Sequence, residues 1–176
     1  MKNSELKLIS ELIRNSRRSD RELARAIGVS QPTVSRMIRK LEKDGVIKEY
    51  TMIPDFAKLG YGLMSFLFVK VNRDRPEDLE RSTKSTTEEL QKNVFPDLLN
   101  EAGLGMGFDG VNVTLHRSYS DYAKQANYAK TRSFVQADHT DSFVVDLRNP
   151  VHFRSLTLSL VADDLVKSNE EETEVP

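Results

Sequence analysis

The tripeptide Gly28-Val29-Ser30 constrains this chain more than any other feature, because it lies between two stretches of helical periodicity. A tight turn between two helices favours glycine at its left-handed first position and an apolar plug at its second. Upstream, Leu23, Ala26 and Ile27 give a short helix its inner stripe; Ser19 can cap it, and Glu22, three residues on, completes a capping box. Downstream, Ser30 caps the next helix, and Pro32 falls in the first turn, where its missing N–H has no intrahelical partner. Val34, Ile38 and Leu41, with Met37 beside them, supply that helix's packed side out to about Asp44. An earlier helix over Glu5 to Asn15 is predicted from Leu6, Ile9, Leu12 and Ile13. Three helices with this turn are the core of a helix-turn-helix.

The opposite side of the third helix carries the chemistry. At about 100° per residue it presents Pro32, Arg36, Arg39 and Lys43, flanked by Thr33, Ser35 and Lys40. Apart from Pro32, these residues are all basic or hydroxylic. A helix of this kind suits the major groove of double-stranded DNA, with base edges near its N-terminus and phosphates further along. Gln31, Thr33, Ser35 and Arg36 are therefore expected to read bases, with Pro32 beside them, while Arg39 and Lys40 hold phosphates. The alternative is a solvated outer face on an ordinary helical hairpin. Gly45 ends the helix, and the β-prone run from Val46 to Ile53, closed by Pro54, is expected to form a wing hairpin that brings Lys48 to the DNA backbone. Charge distribution agrees: residues 1–60 hold 13 Lys and Arg against 8 Asp and Glu, whereas the remainder holds 13 against 19. A basic front on an acidic body suits a polyanion-binding module joined to something that does not touch the polyanion.

Three stretches of the sequence resemble the leucine-responsive and asparagine-synthesis regulators, the Lrp/AsnC family of prokaryotic transcription factors. They are Arg21 through Ser30, Val34 through Thr51, and Leu59-Gly-Tyr-Gly, within a match running over about residues 5–71. The resemblance implies an α+β chain: a winged helix-turn-helix over 1–60, with wing and linker about 46–62, followed by a ferredoxin-like βαββαβ domain over 63–165. It further implies self-association as a dimer or higher oligomer and a small effector such as an amino acid.

Beyond the linker, Leu63 to Asn72 reads as a strand apolar on both faces, Leu63, Leu67, Val69 and Val71 on one and Met64, Phe66 and Phe68 on the other. A second copy of the chain is the natural cover for one of them. A helix is expected from Pro76 to about Asn93. Two strands should meet near the turn signal Asp109-Gly110, followed by a helix with Tyr122, Ala126 and Ala129 inward. Phe143 to Leu147 and Leu156 to Leu160 are expected as closing strands, with 166–176 as an acidic tail. The cluster Gly103, Gly105, Gly107 and Gly110 lacks the Lys-Ser/Thr ending of a phosphate loop. It reads as turn and bulge geometry, with Gly105, Gly107 and Asp109 as candidates for lining an effector site.

The rest of the composition narrows function. No apolar run approaches a membrane span, and the start lacks a signal-peptide pattern, so a cytoplasmic chain is expected. There is no cysteine, which removes thiolate metal sites and cysteine nucleophiles. His116, His139 and His152 are widely spaced, read as surface or loop residues, and form no metal-ligand pattern. No enzyme, metal or cofactor is expected. Two alternatives stand beside a sequence-specific regulator: a non-specific architectural DNA-binding protein, and a haem-pathway decarboxylase of the same two-module layout.

Overall fold

The computed structural model describes residues 1–71, 95–132, 135–149, 151 and 155–173. By contact the chain forms two units, one of Met1–Ile53 with Phe153–Pro176 and one of Pro54–His152.

The first unit contains α1 (Asn3–Arg14), α2 (Asp20–Ile27), α3 (Gln31–Lys43) and α5 (Ser159–Thr173). Leu8, Leu12, Leu23, Ala24, Val34 and Leu41 form its core, with Ile9, Ile27, Val29, Met37, Ile38 and Ile47 packed around them. The helix ends follow the sequence reading. Ser19 Oγ accepts from the Glu22 amide and the Glu22 carboxylate takes the Ser19 N–H, which closes the capping box. Two hydrogen bonds to the Glu22 carboxylate, from the Ser19 N–H and from the Ser19 hydroxyl, hold it below the usual carboxylate range, the backbone one contributing most. Gly28 adopts φ 73°, and nothing stands within 4 Å of where a Cβ would sit, so glycine is required there by backbone conformation and not by space. The Val29 amide then closes back on the Ala24 carbonyl at 3.0 Å.

Three features of this unit differ from expectation. The run after α3 contains no strand, and the wing hairpin is absent among the described residues. Residues 46–54 contain no Gly or Asn-Gly on which a two-residue turn could reverse, so the β-prone run stays one extended stretch. It is pinned by the Val46 and Ile47 amides, both bonded to the Leu41 carbonyl, and by Tyr50, whose hydroxyl donates to Glu42 at 3.0 Å. The segment Leu156 to Leu160 is not a strand either; its end opens α5. Finally, residues 159–173, assigned from sequence partly to the second domain and partly to an acidic tail, are helical, and α5 packs against α1. Ala162 is fully buried there, its carbonyl accepting from the buried Ser10 hydroxyl at 2.8 Å, and Arg14 pairs with Asp163 at 2.6 Å.

The second unit is an antiparallel sheet of β1 (Leu63–Val71), β2 (Asp97–Gly105), β3 (Phe108–His116) and β4 (Val135–Asp146) in the order β2-β3-β1-β4, with α4 (Tyr119–Lys130) packed on it. This is the strand order of a ferredoxin-like domain. The helix expected over Pro76 to Asn93 lies outside the described residues. The β2–β3 reversal falls at Met106-Gly107, with φ 51° and 82°, and not at Asp109-Gly110. Two consecutive positive φ values give the turn a twist that matches the strands, and glycine fills one of the two positions.

Register sorts the two faces. Leu63, Ser65 and Leu67 of β1 align with His116, Thr114 and Asn112 of β3, and this face carries α4. It is unexpectedly polar. Ser65, Thr114, His116 and Gln125 are buried and hydrogen-bonded to one another. The opposite face aligns Met64, Phe66 and Phe68 with Leu115, Val113 and Val111, and Phe66 meets Phe143 at 6.4 Å between ring centroids. Phe143 and Leu99 on that face are exposed.

Candidate nucleic-acid interface

Helix α3 places the expected contact residues on one side, as its buried Val34 and Leu41 require. Gln31, Pro32, Arg36, Arg39, Lys40 and Lys43 are exposed, and Thr33 and Ser35 are half-buried. The Ser30 hydroxyl caps the helix by accepting from the Thr33 amide and also meets Thr33 Oγ1 at 2.8 Å. Arg36 reaches Thr33 Oγ1 at 3.5 Å, and Arg39 Nε donates to the Ser35 carbonyl at 3.1 Å. Neither guanidinium has a carboxylate partner among the described residues, nor does Lys43 or Lys48. Their positive charge is therefore open to an external anion. Lys48 is exposed in the extended run after the helix.

Two residues of the expected set have partners inside the fold. The Ser35 hydroxyl is hydrogen-bonded to the Asp20 carboxylate and lies 3.2 Å from the Gln31 carbonyl. Lys40 Nζ is 2.7 Å from Glu5 Oε1, a carboxylate that is itself buried on α1. Glu5 also accepts the Lys2 amide at 2.9 Å, so one side chain both caps α1 and ties it to α3. The Lys40 hydrogen bond, followed by that of the Lys2 backbone, lowers the Glu5 pKa; the same contact raises that of Lys40. The only sequence hint of this link was an acidic residue in the first turn of α1.

The effector candidates lie at the tip of the β2–β3 hairpin. Gly105 and Gly107 flank the turn residue Met106, Gly107 gives its carbonyl to Lys70 Nζ at 2.7 Å, and the Asp109 carboxylate accepts the Val71 amide at 3.0 Å. Of the histidines, His139 is exposed on β4 and His152 lies outside the described residues. His116 is buried, a departure from the surface placement expected, because its strand position faces α4. Among the described residues no group of His, Asp and Glu is arranged to hold a metal ion, and no helix is long and apolar enough to cross a membrane.

Residues 1–48 match a family model described as winged helix-turn-helix DNA-binding. An HTH-type transcriptional regulator of Pyrococcus abyssi is 39% identical over 93 residues, covering 51% of this chain and 62% of that protein. The Bacillus subtilis HTH-type transcriptional regulator LrpC is 48% identical over 56 residues, covering 32% of this chain and 39% of LrpC. The solved structure of LrpC superposes with a TM-score of 0.67 at 24% identity, over 88% of this chain and 99% of that one. The chain is similar to Lrp/AsnC-type regulators in its first third and shares their fold. A transcriptional regulator from Neisseria meningitidis, solved as an L-Met complex, shares the fold at 18% identity with a TM-score of 0.69, over 92% of this chain and 99% of that one. The chain spans under two thirds of the length of the curated relatives it matches in sequence.

Proposed function

We propose that this chain is an Lrp/AsnC-type, sequence-specific, double-stranded-DNA-binding regulator of transcription, not an enzyme, that works in the cytoplasm as a homodimer or higher oligomer. The observation that carries this reading is the exposed side of α3, where Arg36, Arg39 and Lys43 lack carboxylate partners among the described residues and stand beside an exposed Gln31. Gln31, Pro32, Thr33 and Arg36 sit where base edges would be met; Arg39, Lys43 and Lys48 sit where phosphates would. Ser35 and Lys40, already bonded to Asp20 and Glu5, contribute less. Self-association is supported by the apolar sheet face, where Phe143 is 64% exposed. A small effector belongs to the same proposal, with Gly105, Gly107 and Asp109 at the hairpin tip as its contacts; the L-Met complex of the Neisseria protein supports the idea of a ligand.

Selection of the full chain on random duplexes tests the proposal. Enrichment of a two-fold related site is expected, and Arg36→Ala should relax the preference at one base position. Failure to enrich any sequence, together with affinity that depends on salt alone, would instead mark an architectural DNA-binding protein.

A further inference from the structure

Helix α3 is held on both flanks by carboxylates from other helices of its unit. On one flank the Ser35 hydroxyl donates to the carboxylate of Asp20, the first residue of α2. On the other, Lys40 Nζ stands 2.7 Å from Glu5 Oε1 on α1. From their spacing in the helix, Ser35 and Lys40 project about 140° from one another around its axis. Arg39, Pro32, Lys43 and Arg36 fall, in that angular order, inside the arc the pair bounds; Gln31 and Thr33 fall just beyond it, one at each end. The two tethers bracket the side of α3 proposed to meet DNA.

The sequence of α3 alone does not require the Asp20 contact. A serine inside a helix commonly turns its hydroxyl to the carbonyl four residues back, and the Gln31 carbonyl is within reach of Ser35 at 3.2 Å. Here the proton is shared with a carboxylate of another helix. Asp20 is half-buried in the first turn of α2, where the helix dipole favours an anion. Glu5 is 6% exposed and accepts a second bond, from the Lys2 amide at 2.9 Å. Each carboxylate is thus fixed by its own helix, and a roll of α3 in either direction pulls on one of them.

Roll matters because base contacts and phosphate contacts tolerate it differently. At about 6 Å from the axis, a roll of about 10° carries a side chain by about 1 Å. That is enough to lose a hydrogen bond to a base edge. Lysines and arginines on flexible stems can follow a phosphate through the same shift.

We infer that Asp20 is a positioning residue for base recognition. By holding Ser35 on the flank opposite the Glu5–Lys40 pair, it fixes the roll of α3 and so sets which base edges Thr33 and Arg36 meet, a role that rests on α3 reading bases as proposed above.

The test measures the affinity of the full chain for its selected duplex and for a scrambled duplex of equal length, at fixed salt and well below the Tm of each variant. The ratio of the two is the readout, because a merely structural loss lowers both affinities alike. Asp20→Ala and Ser35→Ala should each lower the ratio about tenfold, as losing one bidentate base contact would. Affinity for the scrambled duplex should move by less than about threefold. The double variant should fall no further than either single one, since both break the same bond. Asp20→Asn, whose amide oxygen still accepts the Ser35 hydroxyl, should keep the ratio within about twofold of the parent. It also removes the carboxylate charge, which separates positioning from repulsion of phosphates. If Asp20→Ala does not fold, Ser35→Ala and Asp20→Asn carry the comparison. An unchanged ratio in folded Ser35→Ala, a tenfold loss in Asp20→Asn, or additive losses in the double variant would overturn the inference. A parent chain that selects no site defeats the regulator reading and this role together; a parent that selects one while Ser35→Ala keeps the full ratio defeats this role alone.

Discussion

Arg39 and Lys40 are neighbours on α3, and sequence alone gives them the same task on the DNA backbone. The structure separates them. Arg39 spends one N–H on the Ser35 carbonyl and keeps its charge uncompensated, whereas Lys40 Nζ sits 2.7 Å from the buried Glu5 carboxylate. Each phosphate contact contributes about 0.9 to the slope of log affinity against log salt, so removing one changes the affinity ratio by about 3.5-fold between about 50 and about 200 mM salt. Arg39→Ala should therefore cost about 3.5-fold more affinity at the lower salt than at the higher. For Lys40→Ala the salt-dependent part should be less than half as large, because its charge is already balanced within the protein. Its loss should appear instead as a lower Tm, since Glu5 is left buried without its cation. Fluorescence anisotropy on a labelled duplex across that salt range, paired with thermal melts, separates the two outcomes. Equal slope changes for both variants, with the Lys40→Ala Tm unchanged, would refute the assignment.

Three further outcomes are expected. Glu5, with its pKa lowered from 4.5 chiefly by the Lys40 hydrogen bond, stabilises the fold above the unfolded value and loses that contribution as pH falls through the folded one; Glu5→Gln should flatten the acid limb of Tm against pH below about 4.5. His116 is shifted the opposite way in consequence: burial lowers its pKa from 6.5 against the pull of Asp121 and Asp97, so the unfolded chain takes up the proton first and stability falls as pH drops below about 6.5. His116→Gln should remove that part of the pH dependence, measured by circular dichroism melts. Phe143→Glu on the exposed sheet face should lower the mass seen by light scattering while leaving the far-ultraviolet spectrum intact, because the side chain is 64% exposed within one chain.

The helix-turn-helix was legible because each of its signals is local. Ser19 and Glu22, Gly28, Ser30 and Pro32 act within four residues of where they stand, and the stripe of Val34, Ile38 and Leu41 needs only helical periodicity. The Glu5–Lys40 tie was not legible, since it joins residues 35 apart on different helices. The polar interior under α4 escaped for a related reason. Ser65, Thr114 and His116 each look like solvent-facing residues along their own strands, and only the pairing of β1 with β3 places them on one covered face. The hairpin expected after α3 is not formed, because residues 46–54 have β propensity but no reversal signal. The closing strand failed because Leu156 to Leu160 is an apolar run too short to distinguish a strand from the start of a helix. The Asp109-Gly110 signal was two residues late, as Met106-Gly107 makes the same kind of turn without a residue that favours positive φ at its first position.

Because α5 rejoins α1, the ferredoxin-like unit is an insertion inside the DNA-binding unit instead of an appendage to it. During synthesis α1, α2 and α3 emerge first, but Ser10 must wait for Ala162, a contact spanning 152 residues. Closing so long a loop in an unfolded chain is slow and entropically unfavourable. Folding of the sheet removes most of that difficulty: Leu63 pairs with Asp146, and the Leu147 amide bonds to the Gly62 carbonyl at 2.9 Å, so the strand that enters the insertion and the strand that leaves it end side by side. The sheet thus works as a staple that shortens the closure from outside, which favours docking of the last helix after the middle of the chain has folded.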